Sequence, residues 1–292
     1  MQAVNRRPRH AILLSGRFFF IAVAGLLCVK VALADDAMAP IRLVDEQTAG
    51  VVPKGDYNVE SRIYEGDGTG TGLLVDVMVG ITDRFTLGLG YGGEGILGRE
   101  SDPHYDPYPG CLVKYRLFDE SIVYPGCAVG FDYQGYGGIA DPSRYGYEGY
   151  IYKSEGFFTA LSKSYLFLNK VPVGFHGNVN LSLEQIQIVK WPDVVAGCDV
   201  GVSRTISMVA EYDFGLNTQD PYGGATSYAR PQDGYLNVGL RGRLAKGLLL
   251  ELDARDILQH RSYLYMESDE YVKVNKLGWS RELKIVYQTP IQ

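Results

Sequence analysis

Long runs of strict period-two alternation dominate this chain. In residues 173–184, Val173, Phe175, Val179, Leu181 and Leu183 share one face, and Gly174, His176, Asn178, Asn180, Ser182 and Glu184 share the other. Residues 206–217 set Ile206, Met208, Ala210, Tyr212, Phe214 and Leu216 against Ser207, Glu211, Asp213, Gly215 and Asn217. Residues 235–244 set Leu236, Val238, Leu240 and Leu244 against Tyr235, Asn237, Gly239, Arg241 and Arg243. Such alternation marks strands with one apolar and one polar face. Marked this way, twelve strands fall near 55–65, 70–81, 84–93, 109–118, 121–134, 149–163, 172–185, 193–203, 206–217, 233–244, 247–257 and 278–288. Most run to about 10–14 residues. A soluble strand needs about 5–6, and a tilted membrane-crossing strand about 9–11.

The connections alternate as well. Tight turns are expected at Thr82-Asp83, 118–120, Arg204-Thr205 and Ala245-Lys246. Longer loops rich in Gly, Pro, Asp and Tyr occupy 94–108, 135–148, 218–232 and 258–277. Short turns at one end and long loops at the other describe an outer-membrane β-barrel with periplasmic turns and extracellular loops. The expectation is therefore an all-β fold: a single antiparallel transmembrane β-barrel of about twelve strands, spanning 55–288. In hydrocarbon every backbone group must be paired, so the sheet closes, the apolar face turns to lipid and the polar face lines the lumen. Tyr57, Phe85, Tyr91, Tyr115, Tyr133, Tyr212 and Tyr287 fall near strand ends, where interfacial aromatics sit. A soluble β-sandwich is the alternative, and the strands are too long and too many for it. A charged fraction of 21% and a single apolar run exclude a helical membrane bundle.

That apolar run lies in residues 1–34, which read as a cleaved secretory signal peptide. Arg6, Arg7, Arg9 and Arg17 precede an apolar core from Phe18 to Val29, and Ala32-Leu33-Ala34 forms the cleavage site. Residues 35–54 read as an acidic N-terminal lead-in. Cleavage removes five of the 28 basic residues and no acid, leaving 23 against 34 acidic ones. Such a balance argues against nucleic acid as a partner. Three cysteines remain: Cys111, Cys127 and Cys198. A Cys111–Cys127 bridge is open if their strands form a hairpin, as is a plain reading of all three as small apolar side chains. The spacing gives no metal site, and no cofactor motif is present.

The polar face carries the candidate functional residues. Alternation places Glu60, Arg62, Lys114, Arg116, His176, Asn178, Glu211, Asp213, Arg241, Arg243, Glu251, Asp253, Arg255, Glu282 and Lys284 in the lumen, together with Asp76, Arg84, Asp132 and Asp199. Signs oppose along neighbouring strands: Glu211 and Asp213, then Arg241 and Arg243, then Glu251 and Asp253. Two readings stand. One is an internal salt-bridge network that fills and stiffens a narrow barrel. The other is a selectivity lining for a charged or sugar solute. A barrel hydrolase would need a serine–histidine pair oriented by a third polar group, acting on lipid from the outer wall. His176 points inward, so a non-enzymatic protein is expected.

Residues 110–164 carry one further pattern. Gly110-Cys-Leu-Val-Lys-Tyr-Arg-Leu-Phe-Asp-Glu-Ser121 leads to Tyr124-Pro125-Gly-Cys-Ala-Val-Gly-Phe-Asp132, then Gln134-Gly-Tyr-Gly137, then Glu155-Gly-Phe-Phe-Thr-Ala-Leu-Ser-Lys163. Together with Val79-Gly-Ile-Thr-Asp-Arg-Phe85, this resembles the YjbH-type outer-membrane proteins over about a third of the chain. The resemblance implies an outer-membrane barrel acting as a pore or assembly component in exopolysaccharide production or export, with polysaccharide or periplasmic export components as partners. It implies no catalytic residues. A general small-solute channel and a structural or adhesive barrel working through its loops are the other readings. Outer-membrane lipid is the expected surrounding. The barrel-assembly machinery is the expected partner of the last strand, where Leu283, Ile285 and Tyr287 share a face.

Overall fold

A computed structural model describes residues 40–65, 71–98, 103–135, 150, 153, 155–168, 170–183, 192–216, 234–260, 264–267, 270–273 and 279–290. The signal peptide expected at 1–34 and most of the loops expected at 135–148 and 218–232 lie outside these residues.

The strands are β1 (Asp56–Glu65), β2 (Thr71–Thr82), β3 (Phe85–Leu97), β4 (His104–Tyr105), β5 (Gly110–Phe118), β6 (Gly126–Asp132), β7 (Gly156–Phe167) and β8 (Val171–Ser182). They continue with β9 (Asp193–Gly201), β10 (Ile206–Asp213), β11 (Tyr235–Ala245), β12 (Leu248–Arg255), β13 (Leu264–Glu267), β14 (Glu270–Lys273) and β15 (Ser280–Pro290). Twelve of them form one antiparallel sheet in which each strand pairs with its neighbours in the chain. The sheet closes because β2 pairs with both β1 and β3, and β15 pairs with both β12 and β1. Short β4 extends the long-loop end of β3, and β13–β14 form a hairpin within the last loop. The fold is thus a closed twelve-stranded antiparallel barrel.

The alternation read from the sequence becomes a division between outside and inside. Val77, Leu89, Phe157, Phe175, Met208 and Ile285 are exposed on the outer wall. Arg62, Lys114, Arg255 and Lys284 are among the largest fully buried side chains. Aromatic pairs mark both rims: Tyr57–Tyr287 and Phe85–Tyr115 at the short-turn end, Tyr91–Tyr105 and Phe131–Phe157 at the long-loop end. The tyrosines among them, with an apolar body and a polar tip, suit those two interfaces.

Cys111, Cys127 and Cys198 are free thiols. The register of the β5–β6 pair explains why no bridge joins the first two. Cys127 lies opposite Phe118 at the short-turn end, while the Cys111 carbonyl meets Tyr133 N at the other.

The lead-in does not stop at the rim. Residues 40–53 turn into the barrel and fill its lumen, buried almost throughout from Arg42 to Val52. The segment crosses the short-turn rim beside Gly80, where an added Cβ would collide with the Pro53 carbonyl oxygen. Inside, it folds back on itself: Arg42 bridges Gln47, Leu43 N donates to Glu46 O (2.9 Å) and Thr48 N to Ile41 O (3.1 Å). The strand number makes room for this. Barrels of about eight strands are filled by side chains, and those of 16–18 leave an aqueous channel. Twelve strands lie between, with an interior that takes one doubled-back peptide. Gly80→Val should lower the thermal midpoint measured by heat-modifiable gel migration. Gly177→Ala, whose Cβ meets nothing within 4 Å, should leave it unchanged.

Candidate functional site

A peptide inside a barrel has no sheet to join, because the wall strands already spend their amides on each other. Its own amides and carbonyls must find side chains, since a buried unpaired backbone group costs as much as a lost hydrogen bond. The wall supplies them. Lys114 Nζ donates to Ile41 O (2.9 Å) and Gly50 O (2.8 Å), and Lys284 Nζ to Val44 O (2.5 Å). Asn178 Nδ2 donates to Gln47 O (2.9 Å), and Arg241 Nη2 reaches Arg42 O (3.4 Å). Glu211 Oε2 accepts from Asp45 N (3.1 Å) and Glu46 N (3.0 Å) at the reversal. Thr86 Oγ1 and Ser162 Oγ accept from Val52 N (3.0 Å) and Ala49 N (2.9 Å).

Two apolar seats complete the fit. Val52 packs with Met78, Leu112, Phe158 and Ala160, with Ile41 against the cluster. Leu43 and Val44 pack on Val209. All five of these wall residues sit at inward positions of strands whose other inward residues, Leu74 on β2 apart, are polar or small.

The plug's charges are matched by the wall. Asp45 Oδ1 meets Arg62 (3.3 Å) and its Oδ2 meets Arg255 (3.2 Å). Arg255 also pairs with Glu282. Lys284 Nζ lies among Glu251 (3.1 Å), Asp253 (2.8 Å) and Glu282 (3.3 Å), and Arg62 pairs with Glu60 (2.5 Å) and Glu282 (3.5 Å). Arg241 pairs with Glu251. Elsewhere in the lumen, Arg42 Nη1 donates to Asp76 (3.0 Å), while Gln47 Nε2 (2.8 Å) and Lys153 both donate to Asp132.

Most of the residues placed inside from alternation therefore converge on the plug or on its partners. Glu60, Arg62, Lys114, His176, Asn178, Glu211, Glu251, Asp253, Arg255, Glu282 and Lys284 are buried, and Arg241 is half-buried. Three stand apart. Asp213 Oδ1 accepts from Gly215 N (2.7 Å) in the turn after β10. Arg116 pairs with Asp119 (3.2 Å) near the short-turn rim, and Arg243 is half-buried close to the β11–β12 turn. Sequence reasoning missed Arg42, Gln47, Ser162 and Lys153. The available signal was the set of apolar residues at lumen-facing positions, Met78, Leu112, Phe158 and Val209, which a water-filled lumen does not call for.

His176 joins Ser162 (Oγ to Nδ1, 2.8 Å) to Asp199 (Nε2 to Oδ1, 2.7 Å) across β7, β8 and β9. The residue types are those of a hydrolytic triad. Here the serine oxygen accepts the Ala49 amide of the plug, so the row ties wall to plug. Among the described residues, no cluster of His, Cys, Asp or Glu is arranged to hold a metal ion.

At the long-loop mouth, two loop carboxyls are buried with few cations near them. Burial, with Glu94 beside it, pushes Asp106 up to about 6. Burial, with Asp106 and Asp132 nearby and against a hydrogen bond from Tyr133, pushes Glu155 up to about 7.

No protein-family model matches the sequence, and no curated protein matches it. Among solved structures the chain is similar to a KdgM porin, at 10% identity and a TM-score of 0.42, covering 79% of this chain and 98% of that one. It is also similar to the outer membrane protein Omp33 of Acinetobacter baumannii, at 7% identity and a TM-score of 0.41, covering 81% and 99%. A third is the CymD monoaromatic hydrocarbon channel, at 11% identity and a TM-score of 0.34, covering 82% and 89%.

Lys284→Met takes from buried Asp253 its ion-pair partner, from Glu251 and Glu282 one of their cations, and from the Val44 carbonyl its donor. It should destabilise the barrel by about 3–5 kcal/mol in urea unfolding, the cost of removing one partner of a buried pair. Asp106 and Glu155 bind protons more tightly in the folded mouth than in an unfolded chain. Their stabilising contribution is full below pH about 4 and is lost as pH rises through about 6–7. Amide exchange in segment 103–110 and at Lys153 and Glu155 should thus quicken, beyond its intrinsic pH dependence, between pH 5 and 8. Glu155→Gln should remove most of that excess.

Proposed function

We propose that this protein is an outer-membrane channel closed by its own N-terminal segment, and that solute passes when residues 40–53 leave the lumen. One observation carries the reading: a segment threaded from the short-turn end fills the barrel and is held there by hydrogen bonds, ion pairs and two small apolar seats. A barrel whose interior served stiffness alone could be filled by side chains, as smaller barrels are. A peptide tethered at one end can be withdrawn without breaking the wall, whose strand ladder closes independently of it.

In this reading the short-turn end is periplasmic, where both ends of the barrel sheet lie, and the long loops face outward. Lipid meets the apolar outer wall. A cleaved signal over 1–34 delivers the chain, and β15 presents Leu283, Ile285 and Tyr287 to the assembly machinery. The link to exopolysaccharide rests on the resemblance of residues 110–164 alone. An adhesive role would rest on the loop 135–148, nearly all of it outside the described residues.

The gate can be locked. An added Cβ at Gly126 lies 3.7 Å from Ala49 Cβ, within the range of a disulfide. Ala49→Cys/Gly126→Cys, in a Cys127→Ala background, should be silent in planar bilayers when oxidised. Reduction should restore the openings of the parent protein. Equal conductance in both states, or a folded parent that never conducts, would show that residues 40–53 do not gate a pore.

A further inference from the structure

Arg42 is the one basic side chain among the described residues of the plug, and the wall receives it as a ligand. Its Nη1 donates to Asp76 on β2 (3.0 Å) and lies 3.6 Å from Glu60 on β1. Its Nη2 lies 3.9 Å from Asp132 on β6. Three strands thus present three buried carboxylates to one guanidinium. The fit is incomplete, because Nε has no hydrogen-bond partner and only one of the three carboxylates is at hydrogen-bonding length. A second feature points into the same cleft. Gln134, 4% exposed, lines it with Arg42 and Asp76, and its Oε1 is buried without a partner. Gly90 and Gly110 open the space: an added Cβ at Gly90 would strike both Asp76 Oδ1 and Gln134 Oε1.

The three acids are not equivalent. Glu60 keeps Arg62 and Asp132 keeps Lys153 whether or not the plug is present. Asp76 has Arg42 as its ion-pair partner. Withdrawal of the plug would take away the cation that Asp76 pairs with, and leave its place among the three carboxylates open to another cation. The flat, five-donor shape of a guanidinium matches the spread of oxygens better than a compact ammonium does.

We propose that this cleft is a binding site for small guanidinium-bearing solutes, occupied by Arg42 as a tethered stand-in while the plug is in place. This rests on the gated-channel reading for its role in transport, since the seat is vacated when the plug moves.

The seat is testable without any current being measured. Arg42→Ala empties it in the full chain, and ethylguanidinium chloride supplies the missing group. Titration calorimetry in micelles, at matched ionic strength, should show millimolar binding to Arg42→Ala and none to wild type. Adding Asp76→Asn or Gln134→Leu should weaken that binding at least tenfold. Ethylammonium should bind at least tenfold more weakly than ethylguanidinium. If Arg42→Ala does not fold, as judged by heat-modifiable migration, Arg42→Gln takes its place. Absence of binding, equal binding to wild type, or indifference to Asp76→Asn would each overturn the proposal. A protein that passes this test while the oxidised cysteine lock still conducts keeps the seat and loses the gate. The reverse result keeps the gate and loses the seat.

Discussion

A peptide enclosed by a finished sheet must have every amide and carbonyl answered by a side chain, and much of this structure follows from that. The wall ladder is complete without the plug, so no wall backbone is free to pair with it. Lysines and carboxylates therefore act as surrogate backbone. Lys114 bridges Ile41 O and Gly50 O across the doubled-back segment, and one Glu211 oxygen takes two successive amides at its tip. These side chains are long enough to reach from the wall and carry enough charge to replace lost hydration. Thr86, Ser162 and Asn178 answer the plug in the same way with neutral groups.

The result is a molecule with its polarity reversed. Its largest fully buried side chains include arginines and lysines, and its exposed ones include Leu89, Phe157 and Phe175. Buried charges are tolerated only when paired and hydrogen-bonded. Lys284 among Glu251, Asp253 and Glu282, and Arg255 between Asp45 and Glu282, supply the ion pairing jointly. Asp45 belongs to the plug, so the wall network is complete only when the plug is in. Plug and lumen are in this sense one core, built from two parts of the chain.

The barrel was legible because alternation is a local property. Inward and outward residues of β8 or β10 can be read from a dozen consecutive letters. The pairing of charges was legible only where the register happened to agree. Arg241 does stand opposite Glu251, as the rows of opposed sign suggested. Glu211 stands opposite Asn237, not a cation, and gives its oxygens to Asn237 and the plug. The plug itself was not legible. Residues 40–53 carry no period, and their partners lie up to 240 positions away, as Val44 does from Lys284. What the letters did contain was a misfit: Met78, Leu112, Phe158 and Val209 on a face expected to meet water.

The make-up of the contact also bears on how the plug can leave. An apolar interface resists opening because each Å² exposed to water costs about 25 cal/mol. Here the clustered apolar part is Ile41 and Val52 at one seat and Leu43 and Val44 at the other, with Ala49 and Val51 buried beside them. The remaining contacts are hydrogen bonds and ion pairs whose strength depends on a dry lumen. As water follows the departing segment, Lys114, Glu211 and Lys284 exchange plug carbonyls and amides for solvent, and the net loss per bond falls to about 0.5–1.5 kcal/mol. Retention is strong while the lumen is dry, and release grows easier once it wets. A segment held by ions can thus be both tightly seated and withdrawable, which a hydrophobic stopper of the same length could not be.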